Sequence, residues 1–237
     1  MRIKEFGESD LLVSFFTPQM GRLKGVAKGA RRSRRRFVNC LDIFCLSMLE
    51  YGLKREGDLY FLHSGKLIDA YAGIRADFTT LWKASYMIEL TEILFPWAVG
   101  DKEMFYLLKE SFGLLDKDES IDKISIIFEV RAMALGGYGI NLDECCICGR
   151  PYTGQGSAVY KPEKGGIACL KCQQISAVSP KMGPDTVKIM KIIQVRSPNI
   201  LKELDLTNKM ITEINSVLKL HREYHLGIRP KTADYLE

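Results

Sequence analysis

Apolar and polar positions divide the chain into a β-patterned beginning and a helical remainder. Between residues 10 and 66 the apolar runs are short and end at turn residues. Leu11-Leu12-Val13-Ser14-Phe15-Phe16 stops at Thr17-Pro18, and Gly21 opens a second run through Val26 that Gly29 breaks. Residues 41–53 (LDIFCLSMLEYGL) and 58–64 (DLYFLHS) follow, with Arg55-Glu56-Gly57-Asp58 as the expected hairpin turn. Several short strands at this spacing predict a small barrel or sandwich.

Near Ile68 the period lengthens. From Asp77 to Phe95, apolar residues recur as Leu81, Ala84, Met87, Ile88, Thr91, Leu94 and Phe95, close to helical spacing, and Pro96 stops the helix. Two more helices are expected at 102–115 and 121–136. In the second, Ile124, Ile127, Phe128, Arg131 and Leu135 share a face, and Gly136-Gly137-Tyr138-Gly139 ends it. Pro180 and Pro184 lead into a helix at 185–195, and a longer amphipathic one runs from 207 to 226. The expected organisation is a β module at 1–67, a helical domain at 68–142 and 176–237, and a cysteine-bearing insert at 143–175.

That insert carries the most specific chemistry. Cys145-x2-Cys148, twenty residues, then Cys169-x2-Cys172 is the spacing of a four-thiolate ribbon. Each CxxC folds into a knuckle that points two sulfurs one way, and two knuckles supply a tetrahedron. A closed four-sulfur set leaves no position for water, so the expected ion is structural Zn2+; an iron–sulfur or rubredoxin-like centre uses the same ligands and stays open. Cys146 does not give the x2 spacing. Cys40 and Cys45, in an apolar stretch, read as small buried hydrophobes. Seven cysteines, four of them paired in this way, indicate intracellular metal binding rather than a secreted disulfide framework.

Charge adds a second feature. The net charge is +5, but residues 1–40 hold ten Lys/Arg against three acids, so this end carries +7 and the rest −2. Arg22, Lys24, Lys28, Arg31, Arg32, Arg34, Arg35 and Arg36 fall in one stretch, GRLKGVAKGARRSRRR, without an acid. Guanidinium groups bind phosphate oxygens bidentately, so a polyanion partner is expected here. Phe15, Phe16 and Phe37 flank the stretch; core positions are the plainer reading, stacking surfaces the alternative. His221 and His225 lie four apart without a third ligand, which points to a surface or capping role. No P-loop, dinucleotide fingerprint, GxSxG or two-metal acid spacing occurs, which argues against an enzyme. No apolar run approaches the ~20 residues that span a bilayer, and the first residues lack a signal-peptide pattern, so a cytoplasmic location is expected.

Three stretches together resemble one family. FGESDLLVSFFTPQMGRLKGVAKGARRSRRR (6–36) resembles the N-terminal module of the bacterial DNA repair protein RecO family, FEVRAMALGGYGINLDECCICG (128–149) its helix leading into a zinc knuckle, and LHREYHLGIRPKTADYLE (220–237) its C-terminal helix and tail. The resemblance implies an α+β fold: an N-terminal OB-fold β-barrel, then an all-α domain with an inserted four-cysteine zinc ribbon. It implies a recombination mediator without catalytic turnover. Such a protein binds single- and double-stranded DNA and anneals complementary strands coated by single-strand binding protein. With RecR it helps load RecA in the RecF pathway, as a cytoplasmic, nucleoid-associated protein. By the same resemblance the cations of 22–36 are the DNA-binding residues. Arg131 is then the candidate for the acidic C-terminal tail of single-strand binding protein, with a salt-bridged helix residue as the other reading. Only MRIKE precedes Phe6, so the first barrel strand is expected to be short or to begin upstream. A zinc-ribbon nucleic-acid-processing enzyme and a structural adaptor are the other classes considered.

Overall fold

Side chains alternate along Arg2–Phe6 (β1), Asp10–Thr17 (β2), Gly21–Ala27 (β3), Leu46–Leu53 (β4) and Tyr60–Asp69 (β5), and these strands form a five-stranded sheet of order β1-β2-β3-β5-β4. The structure, a computed structural model, describes residues 2–53, 59–117, 120–172, 179–196, 204–227, 230 and 232. The expected turn at Arg55–Asp58 and most of the tail after Gly227 lie outside the described residues. All strand neighbours are antiparallel except β3 and β5, which run parallel. One face buries Val13, Phe15, Leu23, Ala27 and Leu62 together with Ala30, Phe37, Cys40 and Leu41. Pleating sends Arg2, Lys4, Arg22 and Lys24 to the other face; Arg2 opposes Ser14, which opposes Lys24.

The closed barrel expected from the sequence is not found. β1 and β4 are the two edges of the sheet, and no pairing joins them among the described residues. β1 is five residues long and paired with β2 throughout. A cavity of ≈ 650 Å³ lies between β2, β4 and the helices, lined by Phe15, Leu49, Phe44, Phe105 and Phe112 among others. Residues 41–45, expected as the start of a strand, form a turn. Phe44 there adopts φ 63° and packs its ring 5.8 Å from that of Phe112, and the strand begins only at Leu46.

The chain divides into two compact units, Met1–Glu119 and Ser120–Glu237. The first also holds Phe78–Leu94 (α1) and Lys102–Leu115 (α2). Asp77 caps α1 by accepting from the Thr80 N–H at 2.7 Å, and Asp101 caps α2 by accepting from Met104 at 2.7 Å. Past α1 the backbone lies directly on the start of β3: the Ala98 N–H donates to the Arg22 carbonyl at 2.9 Å. The approach is so close that a Cβ on Gly21 would sit 1.8 Å from the Val99 carbonyl oxygen, and one on Gly100 would sit 1.9 Å from that of Gln19. Only glycine fits at either place.

The second unit comprises Ile121–Leu135 (α3), Asn141–Cys145 (β6), Ala158–Lys161 (β7), Gly166–Ala168 (β8), Lys181–Met182 (β9), Pro184–Val195 (α4) and Asn208–Leu226 (α5), its strands in the order β6-β8-β7-β9. Helix residues Ile127, Val130, Met190, Ile193, Ile214 and Val217 share one core with strand residues Leu142, Tyr160, Ile167 and Met182. The strands are therefore packed into the helices rather than appended to them. Gly183 has no side chain to cap α4, and Glu213 of α5 does so instead, accepting from the Gly183 N–H at 2.8 Å and the Thr186 hydroxyl at 2.5 Å.

A buried polar chain crosses this core. His221 on α5 is 1 % exposed, with Nδ1 2.5 Å from the Tyr160 hydroxyl and Nε2 2.7 Å from the Tyr138 carbonyl. A carbonyl only accepts, so Nε2 carries the proton and Nδ1 accepts from the phenol. The expectation of a surface or capping role is thus corrected for His221: α5 turns that face inward. Beside it, Arg222 pairs with the buried Glu129 carboxylate.

Burial is the main cause that lowers the His221 pKa from 6.5 to about 4, while its bond to the Tyr138 carbonyl works the other way. Above about pH 6.5 the ring is neutral in folded and unfolded chains alike. As the pH falls from about 6.5 toward 4, the unfolded chain takes up a proton that the folded one refuses. Stability is therefore present at neutral pH and is lost on acidification, by at most about 3 kcal/mol. Urea unfolding at several pH values should show His221→Gln less stable than wild type near neutrality, but with a pH dependence shallower by roughly one proton in this window. Parallel pH profiles for the two proteins would contradict the assignment.

Candidate metal centre and nucleic-acid interface

β6 ends on Cys145, and the turn after it brings Cys148 back; β8 ends at Ala168 and delivers Cys169 and Cys172. The Cys145 N–H donates to the Arg150 carbonyl at 2.8 Å and the Gly149 N–H to the Cys145 carbonyl at 2.9 Å, which closes the first knuckle. Gly149 sits at φ 68°, a conformation glycine takes without strain. The sulfurs of Cys145, Cys148, Cys169 and Cys172 all lie within 4.8 Å of one another, with Cys148 and Cys169 at 3.9 Å. A tetrahedral ion with bonds near 2.3 Å needs sulfurs about 3.8 Å apart, so the four cysteines fit such an ion. Cys146 does not join them; its N–H donates to the Ile167 carbonyl at 2.8 Å in the β6–β8 pairing.

The electrostatics favour a cation. Burial works against ionisation of Cys145, but the N–H groups of Cys169, Cys148 and Ile147 converge on its sulfur and bring the thiol down to about 6. Cys172, hydrogen-bonded to Cys148 and Cys169, is pushed up to about 12. Four neighbouring thiolates repel, and a bound cation removes that conflict by displacing the protons. Arg150 and Lys171 line a cavity of ≈ 240 Å³ against Cys145 and Cys169, where their charge offsets that of a thiolate cluster.

The first unit displays the basic stretch. Lys24, Lys28, Arg31, Arg32, Arg34, Arg35 and Arg36 are exposed. Arg31 pairs with Glu5 at 3.1 Å, and Arg36 donates to the Lys28 carbonyl at 2.6 Å. The guanidinium groups of Arg32, Arg34 and Arg35 engage no partner among the described residues. Arg22 differs from the others. It is half-buried, its guanidinium lies 3.7 Å from the Trp97 ring centroid, and it donates to the Glu92 carbonyl at 3.0 Å. Phe15 and Phe37 are buried and Phe16 packs edge-on to Phe95, so these rings belong to the core.

Sequence reasoning counted Arg2 and Lys4 in the basic end without placing them on a strand face, and it did not single out Trp97 beside Arg22. Alternation within Arg2-Ile3-Lys4-Glu5-Phe6 was the available signal for a strand with two cations on one face. For Trp97 no local signal exists, because its neighbour Arg22 is remote in sequence. Arg131, in the second unit, donates to the Gln194 carbonyl in the last turn of α4, where helix carbonyls lack intrahelical partners.

The sheet, the helices and the four-thiol cluster define an α+β protein with a basic face and a closed metal-type site. Residues 1–71 match the family model described as Recombination protein O N terminal, and residues 75–234 match Recombination protein O C terminal. The chain is 30% identical over 240 residues to the DNA repair protein RecO of Syntrophus aciditrophicus (strain SB), covering 100% of this chain and 92% of the relative. It is 31% identical over 244 residues to that of Desulfatibacillum aliphaticivorans, with 100% and 93% covered. To that of Clostridium novyi (strain NT) it is 27% identical over 238 residues, with 99% and 90% covered. The chain belongs to the RecO family of DNA repair and recombination proteins. None of its described helices is long and apolar enough to cross a membrane.

Protein purified without chelators should contain about one tetrahedrally bound metal ion per chain by elemental analysis. Cys148→Ser should lower that ratio well below one and destabilise the second unit. Metal-free wild-type protein with full thermal stability would overturn the assignment.

Proposed function

We propose that this protein is a recombination mediator that holds DNA on the basic face and loop of its first unit. It takes single and double strands, anneals complementary strands coated by single-strand binding protein and, with RecR, helps load RecA. The observation that carries this reading is the stretch 22–36, in which seven exposed cations face no acid of their own segment. Two strands repel through their phosphates, and a surface that neutralises one strand lowers the barrier to pairing it with another. The work needs no covalent step, so the protein acts without turnover, in the cytoplasm and at the nucleoid.

The OB-fold is part of this reading. The order β1-β2-β3-β5-β4, with one parallel pairing between β3 and β5, supports an open form of that five-stranded architecture. Zinc is the proposed ion. Four thiolates and no oxygen or nitrogen donor favour it, and its role in a closed site is structural. Arg131 is the proposed anchor for the acidic tail of single-strand binding protein. A guanidinium pairs with a carboxylate bidentately, and Arg131 is held in place by its bond to the Gln194 carbonyl.

Replacing Arg31, Arg32, Arg34, Arg35 and Arg36 by Ala should weaken binding of a labelled oligonucleotide by on the order of a hundredfold at 50 mM salt. The slope of log K against log salt should flatten by about 0.9 for each phosphate that is no longer neutralised. Fluorescence anisotropy across a salt series measures both, and annealing of strands coated by single-strand binding protein should fall with them. Undiminished binding at low salt would place the DNA elsewhere.

A further inference from the structure

We infer that Trp97 is a stacking platform for an unpaired nucleobase, set at the end of β3 opposite the arginine loop. The inference rests on the nucleic-acid reading above and specifies the form of strand this part of the surface takes.

Trp97 is 46% exposed although its backbone and one face of its ring are held. The Arg22 guanidinium covers that face of the indole at 3.7 Å from its centroid, fixed in turn by the Glu92 carbonyl at 3.0 Å. Backbone pairing locks the position: Arg22 and Trp97 form a parallel bridge, and the Ala98 N–H donates to the Arg22 carbonyl. Gly21 and Gly100 lie so close to the neighbouring backbone that the 97–100 segment cannot shift far without a clash. The ring is therefore ordered before any ligand arrives, which removes much of the entropic cost of binding.

Cations cluster on the sheet beside Arg22. Arg22 and Lys24 are two apart on β3 and share a face, and Lys24 stands in register with Ser14 and Arg2. The Arg2 side chain is 71% exposed, while its partner carboxylate, Glu92, is 5% exposed. A flat apolar ring backed by one cation and flanked by others fits a ligand that combines a π-face with negative charge. A single nucleic-acid strand is such a ligand, and stacking accepts any base. In a duplex each base is already covered by its neighbours, so the platform discriminates against paired DNA. The surrounding charge likewise favours a polyanion over an apolar protein surface. β3 is about 20 Å long, so one strand can lie on Trp97 and on the arginine loop together.

The chain has two tryptophans, and Trp82→Phe leaves Trp97 as the sole indole reporter. Titrating this protein with a short oligo(dT) strand at low salt should quench its emission, while a blunt duplex of equal length, bound to the same extent, should quench much less. In the wild-type background, Trp97→Ala should weaken oligo(dT) binding roughly fivefold to a hundredfold, as expected when one base no longer stacks. Its duplex affinity should stay within about twofold. Trp97→Phe keeps a ring over Arg22 and should retain most of the affinity, which separates stacking from misfolding. Unchanged emission at saturation, or an equal loss for single strand and duplex, would overturn the platform while leaving DNA binding intact. Wild-type protein that bound neither form would overturn the nucleic-acid reading itself.

Discussion

Like charges crowded into one segment repel, and the placement of the basic face depends on what opposes that repulsion. Two exposed charges ~7 Å apart in water repel by about 0.6 kcal/mol, and salt reduces this further. Burying one Phe, Leu or similar side chain contributes about 1.5–3 kcal/mol. Ala30, Phe37, Cys40 and Leu41 are buried on either side of the arginines, so apolar anchors outweigh the repulsion between them. Gly65 completes the arrangement. Its N–H donates to the Arg36 carbonyl at 2.8 Å, and a Cβ there would come within 2.7 Å of the Cys40 sulfur. At the other end, Asp10 accepts from the Gly29 N–H at 2.8 Å, a bond that holds its carboxyl below the usual range.

The second unit solves a different problem with the same physics. A short ribbon buries too little apolar surface to hold itself, and here it draws on the helices for a core and on four thiols for a staple. Tyr160 shows both ends of the arrangement: its ring lies in the shared core and its hydroxyl meets His221. The four thiols and the basic stretch fall in separate units.

The helices were legible almost to the residue. Asp77 and Asp101 stand at their caps, Pro96 and the Gly136-Gly137 pair mark stops, and the 3.6 period between them needs no tertiary knowledge. The cysteine cluster was legible because each CxxC turns two sulfurs one way, and the β6–β8 pairing then brings the two knuckles together. The strands were less so. β1 has only Ile3 between polar neighbours and an exposed Phe6 at its end, and only pairing with β2 makes it a strand. Residues 41–45 look like strand because four of the five are apolar, yet Phe44 packs its ring on Phe112 from a turn. His221 was misjudged for a related reason: its partners Tyr160 and Tyr138 are 61 and 83 residues away, beyond any local pattern.

Sequence also could not tell one cation from another, and strand geometry explains why they differ. On a strand, alternate side chains face the core, so β3 can offer Arg22 and Lys24 to one face only because Leu23 and Gly25 take the other. Arg31, Arg32, Arg34, Arg35 and Arg36 could not lie on such a strand. Some of them would be forced inward, and each buried charge without a partner costs several kcal/mol. The run therefore has to leave the sheet. It does so through Gly29 at φ 64° and a single 3-10 turn, Ala30–Arg32, followed by irregular backbone that lets every guanidinium reach solvent. An irregular loop makes few backbone hydrogen bonds of its own, which is why Phe37, Cys40 and the bare Gly65 are needed behind it. The charge that would bind the ligand and the core that holds the loop are thus one requirement, written in adjacent residues.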